Sequence, residues 1–184
     1  MEITIILSSV RDNRLADSVF TKVKELIGKT FAFSLVDPKD YPLPMLNKRY
    51  YEMKDPNEKI KELHNIFSKS DGFIIITAEY NHTIPPALSN MLDHFGDEFK
   101  QKSCGIISYS EGAVGGARSG EQLRLLCSTL GMPPIPISPA WGLAHKANMP
   151  EGKIFADSFE RLLGLFLKQF IWYTEAFQLH RERK

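Results

Sequence analysis

The sequence predicts an α/β fold in which five parallel strands form a doubly wound sheet with helices on both faces. Short apolar runs rich in Ile, Val and Phe recur along the chain, as is typical of parallel strands that are buried on both sides. Between them lie longer segments whose apolar residues repeat at helical spacing. Because strand–helix–strand crossovers are right-handed, five strands alternating with five helices produce one such sheet.

The first part of the chain supplies three of these strands and two of the helices. The strands are predicted at residues 3–7, 31–36 and 73–77. The first helix ends at Gly28 and carries a helical repeat of Leu15, Val19, Val23 and Ile27. The second helix is marked by Ile60, Leu63 and Phe67. Residues 37–55 contain three prolines and are expected to form a long surface loop.

The second part continues the alternation. A helix follows Pro85-Pro86, since proline is tolerated in a first helical turn, and its apolar face holds Leu88, Met91, Leu92 and Phe95. A strand at residues 104–109 precedes a helix that ends at Gly131 and carries Leu123, Leu126, Cys127 and Leu130. Residues 134–139 are the expected fifth strand, restricted to a sheet edge because each proline removes a ladder donor. After a loop at 140–152, the last helix carries an apolar stripe of Phe155, Phe159, Leu162, Leu163, Phe166, Phe170, Tyr173 and Phe177.

The number of strands fits the flavodoxin-like order 2-1-3-4-5, which puts the proline-rich fifth strand at an edge. Ligands in such sheets bind at the carboxyl ends of the strands, near the switch point between strands 1 and 3. The loops after strands 1, 3 and 4 are neighbours in this order. We therefore expect them to converge on one functional crevice.

Size, charge and cysteine content limit the class of protein. A length of 184 residues fits one domain spanning residues 1–184. The formal net charge of +1 provides no global field that favours nucleic acid or an anionic membrane. Cys104 and Cys127 lack metal-ligand spacing and are expected to be buried, reduced thiols. Without a basic leader, or an uncharged stretch near the roughly 20 residues of a membrane span, a cytoplasmic location is expected.

The loop after strand 1 is a candidate phosphate site. Residues 8–14 read S-S-V-R-D-N-R and lead directly into a helix, whose first N–H groups and dipole favour an anion. The loop lacks the G-x-G-x-x-G and ATP-binding P-loop motifs, and it has no cysteine to act as a phosphatase nucleophile. On these residues alone, a capped helix with exposed arginines is the alternative.

The loops after strands 3 and 4 suit a flat aromatic ligand. Residues 77–86 read T-A-E-Y-N-H-T-I-P-P and offer backbone amides beside an aromatic wall. Residues 110–118 read S-E-G-A-V-G-G-A-R, and glycines allow a ligand to approach the backbone closely. Taken alone, Tyr80 is better explained by ordinary packing and His82 by a solvated loop position, whereas a plain strand-to-helix turn is an equally open alternative for residues 110–118. No second His or Cys near His82 in sequence supports a metal site.

Together the three loops resemble those of the NADPH-dependent FMN reductase family, which also contains quinone, azo-dye and chromate reductases. The family pattern has G-S-x-R after strand 1, P-E-Y-N after strand 3, and G-G-x-R-x-x-x-Q-L-R after strand 4. The matching residues here are Ser9-Val10-Arg11, Glu79-Tyr80-Asn81 with its continuation to Leu88, and Gly115-Gly116-Ala117-Arg118 with Gln122-Leu123-Arg124. Ser8 replaces the family glycine and Ala78 the family proline, from which we expect weaker FMN binding at worst.

The resemblance implies a bound FMN that takes a hydride from NADPH or NADH and passes it to a small acceptor, namely a quinone, free flavin, azo dye or metal oxyanion. It implies phosphate contacts from Ser9, Arg11, Asn13 and Arg14. It implies a ring cradle of Tyr80, Asn81 and His82 in a loop held by Glu79. It also implies a ring edge and nicotinamide floor of Ser110, Gly112, Gly115 and Gly116. The flavin carries the chemistry, so neither a catalytic side chain nor a metal is expected.

Two other functions stay open at this point. One is a flavodoxin-like electron carrier without NAD(P)H turnover, which the +1 charge disfavours because such carriers tend to be strongly acidic. The other is a scaffold or interaction protein that has lost its flavin, which would be colourless when purified.

Apolar residues outside the core stripe indicate self-association. Leu165, Leu167, Ile171 and Trp172 fall on other faces of the last helix, where we expect partial exposure, and the helix with Met91, Leu92 and Phe95 lies near the site. Large exposed apolar patches usually mark interfaces, and two-fold symmetry is the commonest way to cover them. The resemblance implies pairing around the flavin loops. We expect a homodimer or a dimer of dimers, the alternative being a monomer whose residues 37–55 cover the patch.

Overall fold

The computed structural model describes residues 1–28 and 30–183. Its five strands are β1 (Ile3–Leu7), β2 (Phe33–Val36), β3 (Gly72–Ala78), β4 (Ser103–Tyr109) and β5 (Ala140–Trp141). Its α-helices are α1 (Ala16–Ile27), α2 (Glu58–Lys69), α3 (Pro86–Asp93), α4 (Ala117–Thr129) and α5 (Pro150–Arg181). The strands pair in parallel in the order β2-β1-β3-β4-β5. The doubly wound flavodoxin-like fold and its strand order are confirmed.

The central strands are buried on both faces, as their continuous apolar runs predict. Every residue of β1, β3 and β4 is buried. Alternate side chains enter two separate hydrophobic clusters, so that Ile5 packs with α1 and α5 on one side while Ile6 packs with α2, α3 and α4 on the other. Helices α1 and α5 therefore share one face of the sheet.

The fifth strand is the main error of the sequence-based prediction. Residues 134–139 are not a strand, and β5 is the two-residue segment that follows. Ile135 donates its N–H to Cys104 O at 2.8 Å, but the N–H of Ile137 turns to the side chain of Gln169 instead. Proline has no N–H for the ladder, so regular pairing with β4 starts only after Pro139.

Smaller differences concern boundaries and loops. Strand β2 begins at Phe33, two residues later than predicted. The expected loop at 140–152 contains β5, a one-turn 3-10 helix (Ala144–Lys146) and the start of α5. The expected loop at 37–55 contains another such turn (Tyr50–Glu52).

The predicted exposure of apolar residues is partly wrong. Leu167 is 7% exposed and belongs to the core, because the part of the α5 surface that packs against the core is wider than the predicted apolar stripe. Met91, Leu92 and Phe95 are also buried in the core. Leu165 and Trp172 are exposed, as expected.

Both cysteines are buried and free, as predicted, with their Sγ atoms 3.6 Å apart. Within the described residues, no helix is both long and apolar enough to cross a membrane.

Candidate functional site

A cavity of about 390 Å³ opens where the carboxyl ends of β1, β3 and β4 meet. This volume is in the range of small-molecule sites. Nine of the twelve predicted cofactor-binding residues line it, namely Ser9, Arg11, Asn13, Arg14, Glu79, Tyr80, His82, Ser110 and Gly112. The other lining residues are Asp12, Leu15, Ala78, Tyr109, Glu111, Val114 and Arg118. The three predicted loops thus converge on one site, although Asn81, Gly115 and Gly116 do not line the cavity.

The start of α1 is built to receive an anion at this cavity. Its N-cap position is Leu15, which lines the cavity and whose side chain cannot accept a hydrogen bond from the first helical N–H groups. These N–H groups and the positive end of the helix dipole therefore keep their capacity for an anionic ligand. A capped helix, the alternative for this loop, is not what the structure contains.

The two arginines of this loop make different contacts. Arg14 forms ion pairs with Asp17 and Asp37 and donates to the carbonyl oxygen of Ser9 at 2.5 Å. The hydrogen bonds of its guanidinium are thus made to protein groups. Arg11 joins none of the ion pairs found among the described residues, and its side chain is exposed at the cavity. Arg11 is therefore the cation available to a ligand, and Arg14 holds the loop against the end of β2.

Opposing effects set the pKa of the Asp37 carboxyl. Burial alone would raise it, but the hydrogen bonds from Arg14 and from the N–H of Lys39, with the positive charge of Arg14, lower it below its usual value. The same partnership raises the pKa of Arg14. The Arg14–Asp37 pair is therefore charged throughout the neutral range.

Tyr80 links the second loop to the first. Its hydroxyl is hydrogen-bonded to the hydroxyl of Ser9, and the guanidinium carbon of Arg11 lies 5.8 Å from the centre of its ring. The polar end of Tyr80 therefore lies among the groups predicted to hold phosphate. The family-derived expectation put Tyr80 in the ring cradle alone.

The segment after Tyr80 is a tight two-residue hairpin. Tyr80 and Thr83 exchange both backbone hydrogen bonds, at 3.1 and 2.9 Å. Asn81 and His82 between them have φ values of 49° and 64°. A type I′ turn requires such left-handed residues, and Asn is among those that tolerate them best. The backbone turn thus accounts for the identity of Asn81, whose side chain does not line the cavity.

Side chains of the matched motifs hold these loops together. The Glu79 carboxylate accepts from the backbone N–H of Arg118 and Ser119 at the start of α4, at 3.2 and 3.3 Å. Gln122 accepts from the Thr83 hydroxyl and donates to the His82 carbonyl, at 2.6 and 3.1 Å. Glu79 therefore holds its loop, as the resemblance implies. Sequence reasoning missed the role of Gln122, although the Q-L-R motif had marked the residue.

The double glycine after β4 serves packing. Gly115 and Gly116 are buried and have φ values of 67° and 75°. A Cβ on Gly115 would lie 2.7 Å from the backbone nitrogen of Gly142, and one on Gly116 would lie 2.7 Å from the carbonyl oxygen of Tyr109. Both glycines are required by the close approach of the protein backbone. Gly112, where an added Cβ would meet only Ser110 Oγ at 3.7 Å, is the glycine of this loop that borders open space at the cavity.

One buried hydroxyl at the cavity has no partner. Tyr109 is 3% exposed, lines the cavity, and its hydroxyl makes no hydrogen bond within the described part of the chain. Burial raises its pKa, so the group keeps its proton and can donate. The hydroxyl oxygen itself has almost no accessible surface and lies near the buried Ser8 side chain, so only the rest of the Tyr109 side chain borders the cavity. Arg11 and the uncapped helix fit an FMN, whose phosphate oxygens are acceptors. Sequence reasoning counted Tyr109 only as the end of a strand.

Comparison with known proteins adds independent findings. The profile of the NADPH-dependent FMN reductase family matches residues 1–146. An NAD(P)H-dependent FMN reductase from Schizosaccharomyces pombe is 31% identical over 196 residues, covering 100% of this chain and 94% of its own length. A quinone reductase from Pseudomonas putida is 26% identical over 174 residues and covers 91% of both chains. In fold, the chain is similar to a flavoenzyme NAD(P)H:(acceptor) oxidoreductase from Paracoccus denitrificans, with a TM-score of 0.72 at 20% identity over 91% of this chain and 98% of the other.

Proposed function

The chain belongs to the NADPH-dependent FMN reductase family, and from this premise we propose that it holds FMN in the cavity at the ends of β1, β3 and β4. The chain is an oxidoreductase with FMN and NAD(P)H as its cofactors. We propose further that residues 1–184 act as a single FMN-binding domain and pass a hydride from NADPH or NADH, by way of FMN, to a small acceptor.

The observation that carries the FMN site is the combination of donors around the cavity. Arg11 and the uncapped start of α1 both lie at the cavity with donors that the described protein groups leave open. FMN supplies a ring that accepts a hydride from a nicotinamide and gives it up to a second substrate. The chain orients that ring, and Glu79 fixes the hairpin at its edge against α4.

The acceptor is proposed as a class. Quinones, free flavins, azo dyes and metal oxyanions all accept electrons from a reduced flavin without needing a protein acid or base. Relatives named for FMN and for quinones support the first two. The Arg118 side chain is half exposed at the cavity and pairs with Glu79 at 3.7 Å.

The direct test is a titration of the flavin-free protein with FMN, followed by turnover assays with NADPH or NADH and a panel of these acceptors. We expect FMN binding that quenches flavin fluorescence, and oxidation of a nicotinamide that depends on added acceptor. Absence of FMN binding would refute the proposed site. Bound FMN that neither nicotinamide reduces would indicate the electron carrier instead.

We also propose that the chain works as a homodimer or a dimer of dimers. Exposed Leu165 and Trp172 support self-association, and pairing around the flavin loops is what the family resemblance implies. Light scattering coupled to size exclusion at micromolar concentration tests this. A mass near the 20.9 kDa of one chain would refute it.

A further inference from the structure

The two positions at which this chain departs from the family pattern are joined by a hydrogen bond. Ser8 stands where the pattern has glycine, and Ala78 stands where it has proline. The hydroxyl oxygen of Ser8 accepts from the backbone N–H of Ala78 at 2.8 Å, and both residues are buried. Backbone pairing of β1 with β3 ends at Leu7 and Ile76. The Ser8 side chain therefore continues the connection between the two strands where the backbone ladder stops.

Each of these two residues constrains the other. Without the Ser8 hydroxyl, the buried N–H of Ala78 loses its acceptor, and an unsatisfied buried N–H is destabilising. A proline at position 78 has no N–H, and its Cδ takes the place of the amide hydrogen, about 1.5 Å from the nitrogen. The Ser8 oxygen, 2.8 Å from the same nitrogen, would then lie well inside the contact distance of that carbon. Glycine with proline avoids both problems, and so does serine with alanine.

The bond lies between the first two loops of the cavity. Ser8 directly precedes the loop that carries Arg11, and Ala78 lines the cavity and directly precedes the loop that carries Tyr80. The carbonyl oxygen of Ala78 accepts from the Ser119 hydroxyl of α4 at 2.9 Å. Ala78 is thus held by β1 through its N–H and by α4 through its carbonyl group. The Ser8–Ala78 bond therefore sets how far apart the first two loops begin.

We propose that Ser8 and Ala78 are a coupled pair of positioning residues, which compensate each other and fix the separation of the first two loops for FMN. This inference rests on the proposed FMN site. FMN has to contact the first loop with its phosphate and the second loop with its ring, so its affinity depends on the distance between the loops. Riboflavin lacks the phosphate and is held to fewer of these contacts. Either departure from the family pattern alone weakens FMN binding, whereas both together do not.

A double-mutant cycle on the full-length protein tests the coupling. Wild type, Ser8→Gly, Ala78→Pro and the double variant Ser8→Gly/Ala78→Pro are titrated with FMN and with riboflavin, at a temperature at which circular dichroism shows each of them folded. Each single variant should raise the Kd for FMN by about 10-fold and that for riboflavin by less than about 3-fold. The double variant should return the Kd for FMN to within a few-fold of wild type. The same cycle in chemical denaturation of the flavin-free proteins should show a lowered midpoint in each single variant and its recovery in the double variant.

Ser103→Ala serves as the matched control, because it removes a buried hydroxyl that is hydrogen-bonded to Thr174 at 2.6 Å, at the opposite end of the sheet. It should lower stability without changing the ratio of the Kd values for FMN and riboflavin. If Ala78→Pro fails to fold, folding of the double variant supports the coupling.

The inference is overturned if the losses of the single variants add in the double variant, if the double variant does not fold, or if both flavins lose affinity equally. Wild-type protein that binds no FMN would refute the proposed site, whereas the denaturation cycle would still decide whether Ser8 and Ala78 compensate each other. A failure of the pair is therefore separate from a failure of the flavin site.

Discussion

Replacing Arg11 and Arg14 separately tests whether these two residues of the first loop have different roles. The two residues lie on the same polar loop, and the sequence alone assigns both to the phosphate. In the structure, Arg11 faces the cavity, whereas Arg14 is bound to Ser9, Asp17 and Asp37. Arg11→Ala should therefore impair ligand binding, and Arg14→Ala should impair stability.

The two variants are expected to change different quantities, FMN affinity in Arg11→Ala and the free energy of unfolding in Arg14→Ala. Loss of one charge-assisted contact of roughly 1.5–3 kcal/mol weakens FMN binding by about 10- to 150-fold in Arg11→Ala, with little effect on unfolding of the flavin-free protein. Arg14→Ala leaves the buried Asp37 carboxylate with only the N–H of Lys39, at 3.0 Å. Removing one partner of a fully buried pair costs roughly 3–5 kcal/mol, and the remaining hydrogen bond reduces this to about 2–3 kcal/mol. The unfolding midpoint should then fall by about 5–10 °C.

Acidification separates the two variants further. Because the folded-state pKa of Asp37 is lowered, the stability from its ionised form is present above the unfolded-state pKa of about 4 and is lost as pH falls through the lower folded value. Arg14→Ala lacks the part of this stability that Arg14 supplies. The gap in unfolding free energy between wild type and Arg14→Ala should therefore narrow below about pH 4, while the gap for Arg11→Ala stays near zero.

The assays are FMN titration and thermal unfolding of flavin-free protein, for wild type and both variants. Flavin-free protein is needed because bound FMN itself raises the unfolding midpoint. The reasoning is refuted if Arg14→Ala unfolds at the wild-type temperature. An unchanged FMN titration for Arg11→Ala would remove that residue from the site.

Three further predictions use other parts of the site and the core. Tyr80→Phe should weaken FMN binding by about 5- to 10-fold but leave riboflavin binding unchanged, because the lost hydroxyl lies with Ser9 at the phosphate end. Equal losses of affinity for both flavins would contradict this prediction. Asn81→Ala should lower the stability of the flavin-free protein by about 1 kcal/mol and, with it, FMN occupancy. Asn81→Gly suits the left-handed turn and should retain both stability and occupancy. Chemical denaturation of the two flavin-free variants measures the difference in stability. Burial and the nearby Arg181 lower the pKa of Lys102 to about 8. The free energy of unfolding should therefore rise between about pH 8 and 10.5. Lys102→Met should abolish this rise.

Several residues of the matched motifs hold the loops around the cavity in position. Glu79 fixes the hairpin to α4, and Gln122 fixes it again from the next turn of that helix. Gly115 and Gly116 let the backbone after β4 pack against β5 and the end of β4. These residues build the rigid frame that sets the distance between the second and third loops. Such positioning explains why residues outside the cavity belong to the same sequence motifs as residues that line it.

The sequence alone determined the fold class, the strand order and the location of the cavity. These features depend on patterns that are local in the chain, namely apolar runs, helical repeats and the polar loops between them. The right-handed crossover rule then leaves few ways to arrange the elements, so that the loops after β1, β3 and β4 had to meet. Nine of the residues picked out in those loops do line one cavity.

Only the tertiary structure decided what each of those residues contacts. Arg14 is bound to protein groups because Asp37, 23 positions away, directly follows the neighbouring strand β2, and no local pattern in the sequence marks that pairing. The hydroxyl of Tyr109 points out of a strand with no partner, and the position of β5 depends on which N–H groups still reach β4 after three prolines. Hydrogen bonds and ion pairs require distances of about 3 Å between groups that are far apart along the chain, and packing of the whole sheet sets those distances.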